Sequence, residues 1–299
     1  MHVSVLLKET LGYLNPKPGN LIIDATIDGG GHAEEILKKI GEKGLLIGIE
    51  QDKKILEKLK AKVWQNAILI NDNFRNLDKA LESLKIKKID RAIFDLGMSS
   101  LQLENSGRGF SFQKDEPLLM TFKSSAGPKD LTARDIVNSW SEKDIADLIY
   151  KYGEERYSRR IARGIIEARN NKKIGTTFEL VDIIRRNVPA GYRNNRSLNC
   201  ATRTFQALRI AVNDELTALE EGISKAWDFL AGGGRLVVIS FHSLEDRIVK
   251  NFLKKKAASK EGVILTKKPV IPGQIEKDSN PRSRSAKLRA AEKAFHIEL

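Results

Sequence analysis

The 299-residue chain contains one cysteine, Cys200. That excludes an intramolecular disulfide and any multi-cysteine metal site, zinc deaminase chemistry included, and leaves a thiol expected to be a small buried or half-buried residue. No metal is expected. No run approaches the roughly 18 consecutive apolar residues that a membrane span needs. The N-terminal stretch Met1-His2-Val3-Ser4-Val5-Leu6-Leu7-Lys8-Glu9 lacks the basic-then-apolar build of a secretory signal, so a cytoplasmic location is expected. There is no internal repeat. Acids are in deficit, 39 Asp and Glu against 52 Lys and Arg, which gives a formal charge of +13. Hydrophobic residues at 41% and charged residues at 30% are ordinary globular usage, far from the pattern of a disordered chain, and the length allows a sizeable core.

The positive excess is unevenly placed. Residues 151 to 209 hold 14 basic residues against five acids, and residues 250 to 299 hold 13 against five. The remainder holds 25 bases and 29 acids, a net −4. Clustered positive charge suits a polyanion, because each neutralised phosphate releases condensed counterions. Solvated helix faces can show the same count, but the middle segment is rich in arginine: Arg156, Arg159, Arg160, Arg163, Arg169, Arg185, Arg186, Arg193, Arg196 and Arg203. A guanidinium fork matches phosphate better than solubility alone requires.

Along the chain, short β-branched runs alternate with amphipathic stretches. Residues 21–24, 45–50, 67–70 and 92–95 read as buried parallel strands, with helical patterns between them at 32–40, 53–63 and 76–85. This is repeated β-α-β, so the fold class is α/β, and ligands belong at the carboxyl ends of the strands. From about 104 the pattern becomes irregular and then helical. Ser141 with Asp144, and Thr176 with Glu179, predict capping boxes, and Phe205, Leu208, Val212, Leu216, Leu219 and Ile223 form one long apolar stripe. Strand character returns at 235–240 and 263–265. The pattern predicts a discontinuous α/β domain, residues 1–108 and 209–299, interrupted by an all-helical insertion at 109–208.

Strand one leads into Asp24-Ala25-Thr26-Ile27-Asp28-Gly29-Gly30-Gly31-His32. Glycines let backbone approach a ligand at a helix N-terminus, although the Gly-Lys-Ser/Thr of a phosphate loop is missing. Strand two ends in Glu50, where an acid that hydrogen-bonds ribose hydroxyls belongs. Strand three is followed by Asn71-Asp72-Asn73-Phe74 and strand four by Asp95-Leu96-Gly97-Met98-Ser99-Ser100. Together these fit an adenosyl cofactor. Taken singly, Asp72 reads as a turn residue, Asp95 as a helix cap and Phe74 as core.

The run 95–100, Arg108-Gly109-Phe110-Ser111-Phe112, Tyr152-Gly153-Glu154-Glu155-Arg156, Thr204 through Ile210, Ser240-Phe241-His242-Ser243-Leu244-Glu245-Asp246-Arg247 and Asn280 through Ser285 closely resemble the ribosomal RNA small subunit methyltransferase H (MraW) family, in order and over nearly the whole chain. The resemblance implies a Rossmann-like, S-adenosyl-L-methionine-dependent methyltransferase with a helical inserted domain. It implies methylation of the exocyclic N(4) amine of a cytidine in the decoding region of 16S rRNA, with the small ribosomal subunit as partner.

On matching motif positions, the resemblance implies that Gly30, Gly31 and His32 lie against the methionine end of the cofactor, Glu50 against the ribose and Phe74 beside the adenine. Asp95 and Gln102 would lie near the transferred methyl. Asp95 is the expected catalytic residue, because methylation of an amine asks mainly for positioning and for relief of charge developing on nitrogen. His242, Arg159, Arg160, Arg163, Arg282 and Arg284 are candidate RNA contacts, with Lys287 and Arg289 further along the same tail. His242 reads equally well as a hydrogen-bonded structural residue. Asp28 stands where the family has Gly, and Leu119, Thr121 and Lys123 stand where it has charged residues of other sign or kind. These departures keep two alternatives: another RNA or DNA amino-methyltransferase, or an assembly factor with impaired catalysis. The Asp/Asn-Pro-Pro-Tyr/Phe segment of DNA amino-methyltransferases is absent after strand four. Whether the chain acts as monomer or homodimer is left open.

Overall fold

A computed structural model describes residues 4–62, 64–99, 102–103, 106–194 and 199–295. Arg196 of the arginine-rich segment and Ser100 of the run after strand four lie outside the described residues. The chain forms two compact units, Met1–Ser99 with Leu216–Leu299, and Ser100–Glu215. The second unit contains the whole of the segment 109–208 read as an insertion. Among the described residues, no helix is long and apolar enough to cross a membrane.

The first unit is built on a seven-stranded sheet in the order β3-β2-β1-β4-β5-β7-β6. Strands β1 (Leu21–Asp24), β2 (Leu45–Ile49), β3 (Ala67–Ile70), β4 (Ile89–Asp95) and β5 (Leu230–Ser240) run parallel. The connecting helices are α2 (Gly31–Ile40), α3 (Lys53–Lys60) and α4 (Leu77–Ser83), preceded by α1 (Leu7–Leu14). Strands this short and β-branched form because both faces are covered, as parallel sheets require. Ile23, Ile47, Ile49, Phe94 and Val238 are almost wholly buried and pack with Trp227 and Ile223 in the core. Each such side chain contributes about 1.5–3 kcal/mol of burial. In the ladder Asp24 stands beside Gly48 and Ile93, and Asp95 beside Ile239, so the polar strand ends share one edge.

The far side of the sheet departs from expectation. β6 (Gly262–Ile264) matches the expected short strand, but Lys287–Lys293 forms β7, antiparallel to both β5 and β6. Its sequence, Lys-Leu-Arg-Ala-Ala-Glu-Lys, looks like a basic tail, yet Leu288, Ala290 and Ala291 are buried. Two strands that separate neighbours in sequence hide its identity, because pairing, not composition, makes it a strand.

In the inserted unit come α5 (Ala133–Ser139), α6 (Glu142–Gly153), α7 (Ser158–Asn171), α8 (Thr177–Asn187), the short α9 (Ala190–Arg193) and α10 (Thr202–Asn213). The expected cap at Thr176 forms as a reciprocal box with Glu179, and Ser141 accepts from the Asp144 amide. The long stripe does not form one helix. Asp214 adopts φ 48° and ends α10, and α11 (Glu215–Phe229) begins after it. Asp tolerates this left-handed turn better than most residues, so hydrophobic period alone misses the break. The segment 117–123 is a strap inside this unit: Arg108 donates to the carbonyls of Phe122 and Lys123, and Asn213 accepts from the Phe122 amide at 2.8 Å. Leu119 accepts the Ala133 amide through its carbonyl, the Thr121 hydroxyl accepts the Lys123 amide, and Lys123 pairs with Asp130. All three departing positions thus serve as scaffold.

Candidate active site at the carboxyl edge of the sheet

Buried carboxyl groups dominate the edge where β1, β2 and β4 end. Asp24 accepts the Thr26 amide, and the Thr26 hydroxyl in turn accepts the Asp95 amide at 2.6 Å. This threads the end of β1 to the end of β4. Burial pushes Asp24 up to about 7, opposed by the Thr26 amide and reinforced by the charges of Asp95 and Asp28. Glu50 accepts the Asp52 amide at 2.7 Å. Burial raises it to about 8 despite that bond, with Asp28 and Asp52 nearby. Among the described residues no lysine or arginine forms an ion pair with Asp24, Glu50 or Asp95. A buried anion without a counter-ion is costly, so these carboxyl groups hold their protons toward neutral pH.

The loop between β1 and α2 makes backbone available there. Asp28 takes φ 43° and Gly30 φ 81°. A Cβ at Gly30 would stand 2.6 Å from the Trp64 ring, so only glycine fits. The carboxylate at Asp28 is accommodated because Asp tolerates the left-handed region. His32, in the first turn of α2, is buried, and its Nε2 lies 3.1 Å from the Val5 carbonyl. A carbonyl only accepts, so Nε2 carries the hydrogen and Nδ1 keeps a lone pair. That nitrogen faces an Asp95 carboxylate oxygen at 3.5 Å. Burial holds His32 down to about 4, so it is neutral, and burial pushes Asp95 up to about 7. Of the two, the carboxyl group is the one that holds a proton near neutrality.

After β4 the chain passes close beneath an aromatic ring. A Cβ at Gly97 would meet Phe241 at 3.0 Å and the Asp95 carboxylate at 3.2 Å. Phe241 therefore stands beside Asp95; the sequence placed it in the motif that begins at Ser240 but gave it no site role, and the available signal was its place directly after β5. Thr26 and Asp24 were likewise visible only as members of the glycine-rich run.

Other expected residues have structural duties. Phe74 packs edge-on against Phe94, with ring centroids 5.5 Å apart, and borders Gly222 of α11, while remaining half-buried. Asp72 accepts from Asn73 and Asn76, as a turn residue does. His242 caps α12 (Ser243–Ala258): its ring accepts the Glu245 amide, and its Nε2 lies 3.1 Å from the Glu245 carboxylate. Capping accounts for Nδ1 alone; Nε2 is buried beside the Glu245 carboxylate without a hydrogen bond, so the cap leaves the role of this nitrogen open. Gln102 belongs to the inserted unit, where it is buried.

The arginines divide by exposure. Arg159, Arg160 and Arg163 are exposed on α7, as are Arg282 and Arg284 near the end of the chain. Arg169 instead donates to the carbonyls of Val137 and Trp140, Arg203 to Glu154 and Arg193 to Arg185. Arg289 is buried in a two-pronged pair with Asp246 at 2.7 and 3.2 Å, with Lys287 3.8 Å from the same carboxylate. Arg289 is thus not a free phosphate contact.

Comparison with known proteins converges on one family. Over 311 residues the chain is 47% identical to a ribosomal RNA small subunit methyltransferase H of Geotalea daltonii, covering 98% of each chain. It is 44% identical over 312 residues to the protein of the same name from Halothermothrix orenii, covering 99% of each, and 45% identical to one from Clostridium botulinum, covering 98% of each. Residues 1–294 match the MraW methylase family, and with relatives of this identity spanning both chains, this protein belongs to that family.

Proposed function

We propose that this protein transfers the methyl group of S-adenosyl-L-methionine to the N(4) amine of a cytidine in 16S ribosomal RNA of the small subunit. Family membership supports the reaction class, and the desolvated Asp95 carboxyl at the end of β4 is the observation that carries the chemistry. The donor set fits the cofactor: its ammonium and sulfonium would bring positive charge to the carboxyl groups of Asp24, Glu50 and Asp95. Glu50 would hold the ribose hydroxyls, Gly30, Gly31 and His32 the methionine end, and Phe74 the adenine edge. The family resemblance also assigns Gln102, of the inserted unit, to cofactor binding. When bound, the cofactor supplies an electrophilic methyl on sulfur.

The chain's own residues then have separable tasks. Asp95, once ionised, accepts a hydrogen bond from the target amine, orients its lone pair and favours the positive charge that grows on nitrogen. The unprotonated Nδ1 of His32 can accept only from the protonated Asp95 carboxyl, so it holds that group while the site waits, and Thr26 fixes the backbone from which it projects. Phe241 borders the same carboxylate and offers a ring against which an unstacked base can rest. Exposed Arg159, Arg160, Arg163, Arg282 and Arg284 would hold RNA phosphates.

The test is methylation of isolated small subunits with labelled cofactor, followed by mapping of the labelled nucleotide. Label at N(4) of one cytidine is the expected result. Label elsewhere would point to another amino-methyltransferase, and cofactor binding without transfer to an assembly factor.

A further inference from the structure

Arg156 is unlike the other arginines of the inserted unit. It is exposed, and among the described residues its guanidinium donates to no carbonyl or carboxylate. It lies instead against two aromatic rings, 4.7 Å from the centroid of Tyr157 and 5.4 Å from that of Tyr192. The two tyrosines meet edge to face with centroids 5.0 Å apart.

The pair is held from below by a fully buried carboxylate. One oxygen of Glu155 accepts the Tyr157 amide at 2.8 Å, and the other accepts the Tyr192 hydroxyl. Burying a carboxylate to orient two half-exposed rings is costly, and an aromatic pair needed only for packing would not require it. Burial and the Glu155 charge push the Tyr192 phenol up to about 12, so the ring stays neutral. The cluster presents one exposed guanidinium plane seated on two edge-to-face phenols, and the Tyr192 hydroxyl is spent on Glu155. Exposed Arg159 and Arg160 follow within one turn.

We propose that Arg156, Tyr157 and Tyr192 form a stacking platform for an unpaired base of single-stranded RNA, with Arg159 and Arg160 taking the adjoining phosphates. This rests on the reading of the protein as an RNA-modifying enzyme and adds a base-recognition site to it. The chemistry is general: bases stack on aromatic and guanidinium planes without regard to sequence, and phosphates pair with the neighbouring cations.

Arg156→Lys separates the two ingredients, since it keeps the charge and loses the plane. We expect it to weaken binding of a short single-stranded RNA about tenfold at fixed salt. The slope of affinity against salt should stay unchanged, and the stacking quench of an aminopurine placed in that RNA should disappear. Binding to duplex RNA, whose bases are already stacked, should be unaltered. Arg159→Ala should do the reverse, lowering the salt slope while keeping the quench. Wild-type binding and quench in Arg156→Lys would overturn the platform, as would an equal loss on duplex. A thermal melt matching the wild type shows that the variant is folded; if it melts early, Tyr192→Leu read by the same quench decides. Wild-type protein that binds no RNA would sink the RNA-enzyme reading and the platform with it. Wild-type binding with an unchanged variant would sink the platform alone.

Discussion

The two units of this protein use ionisable groups in opposite ways. The sheet unit buries Asp24 and Glu50 and half-buries Asp95 at one edge, and among the described residues no lysine or arginine pairs with them, so their ionisation is pushed toward neutral pH. The inserted unit keeps Arg156, Arg159, Arg160 and Arg163 at its surface, where water solvates them and they meet a partner without first being desolvated. Buried charge stores sensitivity to a ligand, whereas exposed charge stores reach. The first suits chemistry on a small cationic cofactor, and the second suits a long polyanion. Arg289 shows that residue type does not decide the matter, because in the sheet unit an arginine is buried and neutralised by Asp246.

That contrast can be broken at its strongest point first. Asp95→Ala should lower kcat for methyl transfer by about 10²–10⁴-fold, the range for loss of a positioned acid–base group, with RNA affinity little changed. Equal loss of RNA binding, measured by filter retention, would make Asp95 a structural residue. Next, Arg289→Ala removes the two-pronged partner of half-buried Asp246, leaving Lys287 at 3.8 Å, and should cost about 1.5–3 kcal/mol in denaturant unfolding, whereas Arg284→Ala should change stability by less than about 0.5 kcal/mol. Similar effects at both positions would erase the distinction between buried and exposed arginines.

A third measurement addresses reach. Replacing Arg159, Arg160 and Arg163 together by alanine should reduce the slope of log affinity for single-stranded RNA against log salt by about two, with cofactor affinity unchanged. An unchanged slope would make these side chains ordinary solvated surface.

The smallest effect concerns pH. Asp24 and Asp95 rise from 3.8 to about 7 and Glu50 from 4.5 to about 8, so the folded state holds protons that the unfolded chain has released. Their stabilisation is complete at low pH and disappears as pH rises through 7 to 8. His32, lowered from 6.5 to about 4, acts oppositely and removes stability as pH falls through that window. The raised values of Asp24, Asp95 and Glu50 fall between pH 6.5 and 8.5. The ligand-free melting temperature should therefore fall across this interval, less steeply in Glu50→Gln, and S-adenosyl-L-methionine should flatten the fall. A profile flat without ligand would mean that these carboxyl groups are solvated.

Much of the sheet unit was legible from sequence because its signals are local. Four apolar runs located β1 to β4, and the glycine-rich run, Glu50 and Asp95 pointed to the sheet edge at which the candidate site lies. Harder to read were β7, which is a strand only by virtue of its neighbours, and the break at Asp214, which one left-handed residue makes inside an unbroken apolar stripe. His242 was ambiguous because a ring nitrogen that caps a helix and one that meets a substrate look alike in sequence.

The sequence by itself determined the fold class, the family and the +13 charge with its two basic segments, because periodicity, motif order and composition are properties of neighbouring residues. Only the tertiary structure decided which of those charges are available. Burial and pairing depend on residues far apart in the chain: Asp246 claims Arg289, the Val5 carbonyl fixes the tautomer of His32 toward Asp95, and Glu155 aligns Tyr157 and Tyr192 beside Arg156.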